Sequence, residues 1–255
     1  MLLFLYLTNR LLIEVGEEER RKNQGATERV LKIKKNYLFT FLMLGNIQTF
    51  LKVLIKKKVK VITMDDKVNI YPPGFQAILE ATAKTSFDQL SDPQLGSLLS
   101  TLSATKPGGS FLELGTGSGL STAWLLQGMD DNSSLVTVEE NSELVDIAKK
   151  YLGFDPRVKF IVGKGENLIL NTEPKSIDFI FADTWPGKYN HLEETLSLLK
   201  QGGVYIIDDM LPQDNWPVGH GEKVTDLIQK LENNRNLLLT KLAWSSGIII
   251  CIKKF

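Results

Sequence analysis

A chain of 255 residues with 43% apolar and 24% charged residues has the composition of a cored protein of one or two domains and lacks the marks of disorder. Its 30 Lys/Arg balance 30 Asp/Glu, so the chain as a whole offers no electrostatic footprint for nucleic acid. The single cysteine, Cys251, excludes an intramolecular disulfide framework and a cysteine-ligated zinc site, and two histidines are too few for a His-rich metal centre.

The neutral total hides an asymmetry. Residues 1–63 carry 13 Lys/Arg against 5 Asp/Glu, leaving 17 and 25 of the 30 of each for residues 64–255. The charge therefore changes sign near Met64, which marks a boundary between a basic N-terminal extension (1–63) and a domain spanning 64–255. In residues 1–7 the apolar run precedes the basic residues, the reverse of a signal peptide. Residues 37–55 are mostly apolar and are followed by Lys56, Lys57 and Lys58, but Asn46, Gln48, Thr49 and Lys52 interrupt them. Three readings stay open for this region: an upstream extension outside the native domain, an added amphipathic helix, and a marginal membrane anchor. A membrane role is the least favoured, and a cytoplasmic protein is expected.

From Met64 onward the pattern is regular. Tyr71-Pro72-Pro73-Gly74 reads as a turn and 75–84 as a helix. Asp92-Pro93 reads as an N-cap and first-turn proline, and Leu95, Leu98, Leu99 and Leu102 recur at helical spacing. Apolar runs then predict strands at 111–114, 135–139, 158–162, 177–182, 204–207, 237–242 and 247–252. Helices are predicted between them at 121–127, 142–151, 190–199 and 221–231. Continuous apolar strands alternating with helices imply an α/β fold: a doubly wound, mostly parallel seven-stranded sheet. Only 243–246 separate the last two strands, which predicts a C-terminal antiparallel hairpin and hence a Rossmann-like architecture distinct from the dinucleotide-binding one.

The chemistry concentrates at the predicted carboxyl ends of these strands, where such sheets bind ligands. The first strand runs into Gly115-Thr116-Gly117-Ser118-Gly119, a turn that lets a ligand approach the backbone and leads to the free N–H groups of a helix start. The second strand ends at Glu139, 24 residues after Gly115, where a carboxylate can accept both hydroxyls of a ribose. Either NAD or S-adenosylmethionine offers such a ribose. Glu113 and Asp183 flank the turn, and no Lys or Arg lies between Phe111 and Asp146. Carboxylates suit a cationic amino acid moiety and repel a pyrophosphate, which favours the sulfonium cofactor.

FLELGTGSGLS, LVTVEEN, VKFIVGKGENL, DFIFADTWPGKY and LLKQGGVYIIDD, in this order and spacing, resemble the catechol and caffeoyl-coenzyme A type of class I S-adenosylmethionine-dependent O-methyltransferase. The resemblance covers about 91–255 and implies methyl transfer from S-adenosylmethionine, with O-methylation of a small-molecule acceptor. It implies cofactor contacts at Glu113, Gly115, Thr116, Gly117 and Ser121 around the turn, Glu139 at the ribose, Gly165 and Glu166 at the adenine, and Asp183 at the ammonium group. Trp185 is a further candidate wall of the cofactor or acceptor pocket. The resemblance also implies a magnesium or other hard divalent cation at Asp183, Asp208 and Asp209, an all-oxygen set that suits such an ion. Two departures stand out: Asp209 replaces an asparagine, and Pro186 stands where the family has a lysine base, with Lys188 two residues on. His220 is then the candidate base, beside Asp183 as the other catalytic position, because imidazole titrates near neutrality. Residues 211–219 are the candidate substrate lid. Related enzymes are often dimers, so a homodimer is among the expected assemblies. A nicotinamide-dependent oxidoreductase and a non-catalytic cofactor-binding module remain as alternative functions.

Overall fold

A computed structural model describes residues 65–213 and 216–255. The N-terminal extension, including the apolar stretch 37–55, lies outside the described residues.

Helices α1 (Phe75–Thr82) and α2 (Pro93–Ser103) precede an alternating series. It runs β1 (Ser110–Leu114), α3 (Leu120–Gly128), β2 (Ser134–Glu139), α4 (Ser142–Leu152), β3 (Val158–Val162), α5 (Gly165–Leu170) and β4 (Ile177–Ala182). Then come α6 (Leu192–Leu198), β5 (Leu199–Ile207), α7 (His220–Asn233), β6 (Leu237–Leu242) and β7 (Ile248–Lys253). The strands form one sheet in the order β3-β2-β1-β4-β5-β7-β6. The first five pair in parallel, while β7 runs antiparallel to both β5 and β6. The chain thus passes from β5 to the edge of the sheet and returns through β7, and the predicted hairpin closes it.

Alternation along the buried strands sorts the core into two faces. Phe111, Phe179, Val204 and Ile206 pack with α1, α2 and α3 through Phe75, Ile78, Leu95, Leu99, Trp124 and Leu125. Leu112, Ile180, Tyr205 and Ile207 pack on the other face with α6 and α7 through Leu196, Val224, Leu227 and Leu231. Fully burying one such side chain contributes about 1.5–3 kcal/mol, so the two layers hold the strand ends rigidly in place. No helix among the described residues is long and apolar enough to cross a membrane.

Local signals account for the helix ends. Asn141 accepts from the Glu143 N–H at 2.9 Å and caps α4, whose last turn carries Lys149 and Lys150. Asp92 stands at the N-cap of α2 as expected, but its side chain makes no cap bond. It accepts instead from the Ser245 hydroxyl at 2.6 Å, tying α2 to the β6–β7 connection. Two elements differ from the reading of the sequence. β5 begins at Leu199, directly after α6, because Leu199 pairs with Ile177 and residues 200–203 loop out before Val204 resumes opposite Phe179. The helix α5, of six residues, was not predicted, being too short to show a period.

Candidate active site

The glycine turn leaves β1 and enters α3 with Gly115, Gly117 and Gly119 all at positive φ (99°, 51° and 99°). At Gly115 a Cβ would sit 2.9 Å from the Asp183 carbonyl oxygen, and at Gly119 one would sit 2.9 Å from the Ala148 Cβ, so neither position takes a side chain. The Gly115 and Thr116 N–H groups donate to the Val138 carbonyl, and Gly117 N–H donates to Glu139 Oε2 at 3.2 Å. Glu139 Oε1 accepts from Asn141 N–H at 3.0 Å. The half-buried carboxylate is therefore oriented by one backbone bond on each oxygen, which leaves acceptor capacity on both for a vicinal diol.

A cavity of about 460 Å³ opens over this turn, a size within the usual range for small-molecule sites. Gly115, Thr116, Gly117, Glu139, Asp183 and Trp185 line one part of it. Lys188, Tyr189, Asp208, Asp209, Trp216 and His220 line another, and Phe87–Asp92 with Ser245 and Ser246 complete the wall. Four other candidates from the sequence do not line this cavity. Glu113 and Ser121 are buried behind the turn, 0% and 2% exposed. Glu113 Oε2 accepts from Thr122 at 2.5 Å and from Thr137 at 2.7 Å, and its other oxygen has no partner. Burial pushes the Glu113 carboxyl up to about 7, against the Thr122, Thr137 and Ser121 hydroxyls and with help from the Glu139 charge. The acid next to the turn is thus a brace between β1, β2 and α3 rather than a surface for the ligand. Gly165 and Glu166 open α5, with Gly165 packed under Pro186 (3.0 Å from a Cβ built there). Glu166 Oε2 is buried without a protein partner, an acceptor of the kind an adenine amino group satisfies.

The three aspartates do converge. Asp183 ends β4, Asp208 and Asp209 follow β5, and one oxygen from each lies within 4.8 Å of the others. Asp209 holds a positive φ of 59°, a strained conformation of the sort found at functional sites. Burial, the Asp208 charge and, more weakly, Asp209 push Asp183 well above the usual carboxylate range, while the Lys188 ammonium opposes them. Burial and Asp209 raise Asp208 to about 6, opposed by the Ser246 hydroxyl that donates to Asp208 Oδ1 and by Lys188.

Lys188 is the residue whose reach the linear spacing left open. Its side chain is 4% exposed. Nζ donates to the Asp208 carbonyl at 2.9 Å and lies 3.6 Å from Asp183 Oδ1. His220 stands at the first turn of α7 and is buried. Its Nε2 lies 3.2 Å from the Tyr189 hydroxyl, its Nδ1 has no partner, and Trp216 packs on the ring at 4.6 Å between centroids. Burial and then Lys188 lower its pKa below 6.5, so the imidazole is neutral at pH 7. Trp185 is 44% exposed, 5.9 Å from both Tyr189 and His220, with Lys223 above its ring. Of these groups, Tyr189 and Ser246 had no signal in the sequence, because only the tertiary fold brings them to His220 and Asp208.

The part of the chain that carries this glycine turn and Glu139 is similar to known proteins. Residues 112–210 match a family model described as a methyltransferase domain. A Mycobacterium avium (strain 104) protein provisionally named an O-methyltransferase is 33% identical over 120 residues, 45% of this chain and 54% of that one. The chain thus spans about half the length of the curated relatives it matches. Among solved structures, the O-methyltransferase from Bacillus cereus in complex with SAH aligns with a TM-score of 0.63 at 23% identity, covering 76% of this chain and 94% of that one. TomG, an O-methyltransferase from Streptomyces achromogenes in complex with SAM, gives 0.63 at 19% identity over 80% and 96%. Both likenesses are of fold. The matched segment holds the cavity's glycine turn, Glu139, Asp183, Lys188 and the Asp208–Asp209 pair, while His220 lies beyond it.

Proposed function

We propose that the chain is an S-adenosylmethionine-dependent methyltransferase that methylates oxygen on a small-molecule acceptor. The observation that carries this reading is Glu139, fixed by Gly117 and Asn141 with acceptor capacity left on each oxygen at the floor of the cavity. The names of the relatives and the methyltransferase-domain match support it. The cofactor fits the residues present: glycines admit it to the backbone, Glu139 takes its ribose, and Asp183 faces its ammonium group.

When bound, S-adenosylmethionine supplies a methyl group already activated on a sulfonium, so the protein mainly has to align the acceptor and exclude water. Trp185, Tyr189 and Trp216 wall the acceptor side and reduce its contact with solvent. His220, neutral and lining the cavity, takes the proton of the acceptor hydroxyl. A cofactor bound here would supply its methyl group to that oxygen, so that the products would be a methyl ether and a neutral thioether, with the acceptor's proton left on His220. Lys188, whose Nζ donates to the Asp208 carbonyl and lies beside Asp183, stabilises the developing oxyanion.

The nicotinamide alternative is disfavoured. Lys188 is the lone Lys or Arg among the residues lining the cavity, and it is engaged with Asp183 and Asp208, so a pyrophosphate would face carboxylates. The non-catalytic alternative rested on Pro186, and Lys188 with His220 restores a cation and a base at the same wall. A cytoplasmic site of action is part of the proposal, consistent with a lone buried cysteine. Calorimetric titration against S-adenosylmethionine, S-adenosylhomocysteine and NAD tests the cofactor; transfer of tritiated methyl to a panel of phenols and catechols tests the reaction. Binding of NAD in place of S-adenosylmethionine would overturn the reading.

A further inference from the structure

A hard divalent cation takes six or more oxygen ligands at about 2.0–2.6 Å and draws most of its affinity from uncompensated carboxylates. The Asp183, Asp208 and Asp209 cluster supplies the carboxylates, but two of the three are already engaged from within and an ammonium sits among them. Lys188 Nζ lies 3.6 Å from Asp183 Oδ1 and 2.9 Å from the Asp208 carbonyl, and Asp208 Oδ1 is engaged by the Ser246 hydroxyl. A divalent ion among these oxygens would face the ammonium at short range in a place that water screens poorly, where like charges repel strongly.

The ammonium has little freedom to withdraw. Its side chain is 4% exposed, and the segment that carries it is tied at several points. Lys188 N–H donates to the Trp185 carbonyl at 3.1 Å, Gly187 N–H donates to the Asn190 carbonyl at 2.8 Å, and the Gly187 carbonyl accepts from the buried Tyr205 hydroxyl. Gly187 is at φ 88° with Leu114 2.5 Å from where a Cβ would stand, so this turn has one tight seat against β1. The donor set therefore does not fit a divalent cation.

We propose that the Lys188 ammonium occupies the role of the divalent cation at this site, so that the protein handles its acceptor without a metal ion. The ammonium has three donor protons. One goes to the Asp208 carbonyl and one faces Asp183, which leaves a third for an acceptor oxygen in the cavity. The acceptor class that follows is a single hydroxyl or phenol held by one point charge, with no requirement for the adjacent pair of oxygens that chelates an ion. The consequence for the acceptor rests on the methyl-transfer reading; the claim about the cation does not.

The test is titration of the chelator-treated full chain with Mn²⁺ alone, followed by electron paramagnetic resonance of the free ion. The wild type is expected to show no saturable site into the millimolar range, and activity on any acceptor found is expected to be the same with and without chelator. Lys188→Met, which removes the charge and keeps the length, should gain a saturable site at least tenfold tighter, Lys188→Arg should not, and Asp209→Asn in the Lys188→Met background should abolish the gain. A purely structural lysine would not trade its charge for a metal ion in this way. A wild-type Mn²⁺ site removed by Asp209→Asn would overturn the proposal, as would a folded Lys188→Met protein that gains none. If Lys188→Met does not fold, wild type against Asp209→Asn decides the question. Calorimetry with S-adenosylmethionine on the same samples separates the two levels: its failure would remove the methyl-transfer reading and leave the cation result standing.

Discussion

Replacing Glu139 by glutamine keeps its length and shape and changes only charge and hydrogen-bond polarity. In the wild type each carboxylate oxygen accepts one backbone N–H, Gly117 at 3.2 Å and Asn141 at 3.0 Å, and each retains acceptor capacity. A glutamine has one accepting oxygen and an NH₂ that only donates. Whichever way its amide turns, one backbone N–H meets a donor and one ribose hydroxyl loses its acceptor. Bonds to a charged partner are worth about 1.5–3 kcal/mol net, and Glu139 is only half-buried, which puts each loss at the low end. The backbone loss is the same in the free and the bound protein, so only the ribose loss enters binding: about 1.5 kcal/mol, or roughly tenfold in Kd. The ribose is common to substrate and product cofactor, so calorimetry should find S-adenosylmethionine and S-adenosylhomocysteine weakened by the same factor. Urea unfolding of the free protein should move by less than about 1 kcal/mol, since the exchanged bonds lie at a half-exposed strand end. Losses below about threefold for both ligands, in a variant that unfolds like wild type, would refute the assignment of this acid to the ribose.

Glu113, raised from 4.5 to about 7, holds its proton more tightly folded than unfolded. Its contribution to stability is therefore full below about 4.5 and falls by up to about 3 kcal/mol as pH rises to about 7. Glu113→Gln should flatten that part of the pH dependence in urea unfolding between pH 5 and 8; an unchanged slope would contradict the burial argument. At Gly96 a Cβ would stand 2.2 Å from Trp124 Nε1, so Gly96→Ala should cost about 1–3 kcal/mol by urea unfolding as the indole is pushed off its seat against Phe75. His220→Asn should lower turnover about a hundredfold or more with cofactor affinity kept within about twofold, and should erase the acid limb that the wild type is expected to show below pH 6.5. Unchanged kcat would remove the histidine from the chemistry.

The sheet was legible because its strands are continuous apolar runs bounded by turn residues, and six of the seven were placed to within one residue at both ends. The fifth strand was cut short because Gly202 and Gly203 look like punctuation, whereas here they loop out of a strand that has already begun at Leu199. In the site, the glycine turn, Glu139 and the aspartate trio were readable, since strand ends in such a sheet face one edge and a motif in sequence becomes a motif in space. Glu113 was not. Its role depends on hydroxyls from Thr122 and Thr137, nine and 24 residues away, and nothing local distinguishes an acid aimed at a ligand from one aimed at the core.

Lys188 shows the same limit from the other direction. Counted along the chain it is five residues past Asp183, with a proline between them. Gly187 takes a positive φ that few other residues adopt, and the Tyr205 hydroxyl and the packing against Leu114 keep it there. The turn thereby folds Lys188 back onto the aspartate it follows, 3.6 Å away. Two residues that look like an interruption of the motif, Pro186 and Gly187, are what carry the ammonium into the carboxylate cluster. The positive charge of the site has been relocated by the backbone, which is why a residue-by-residue comparison at position 186 finds no cation while the folded site contains one.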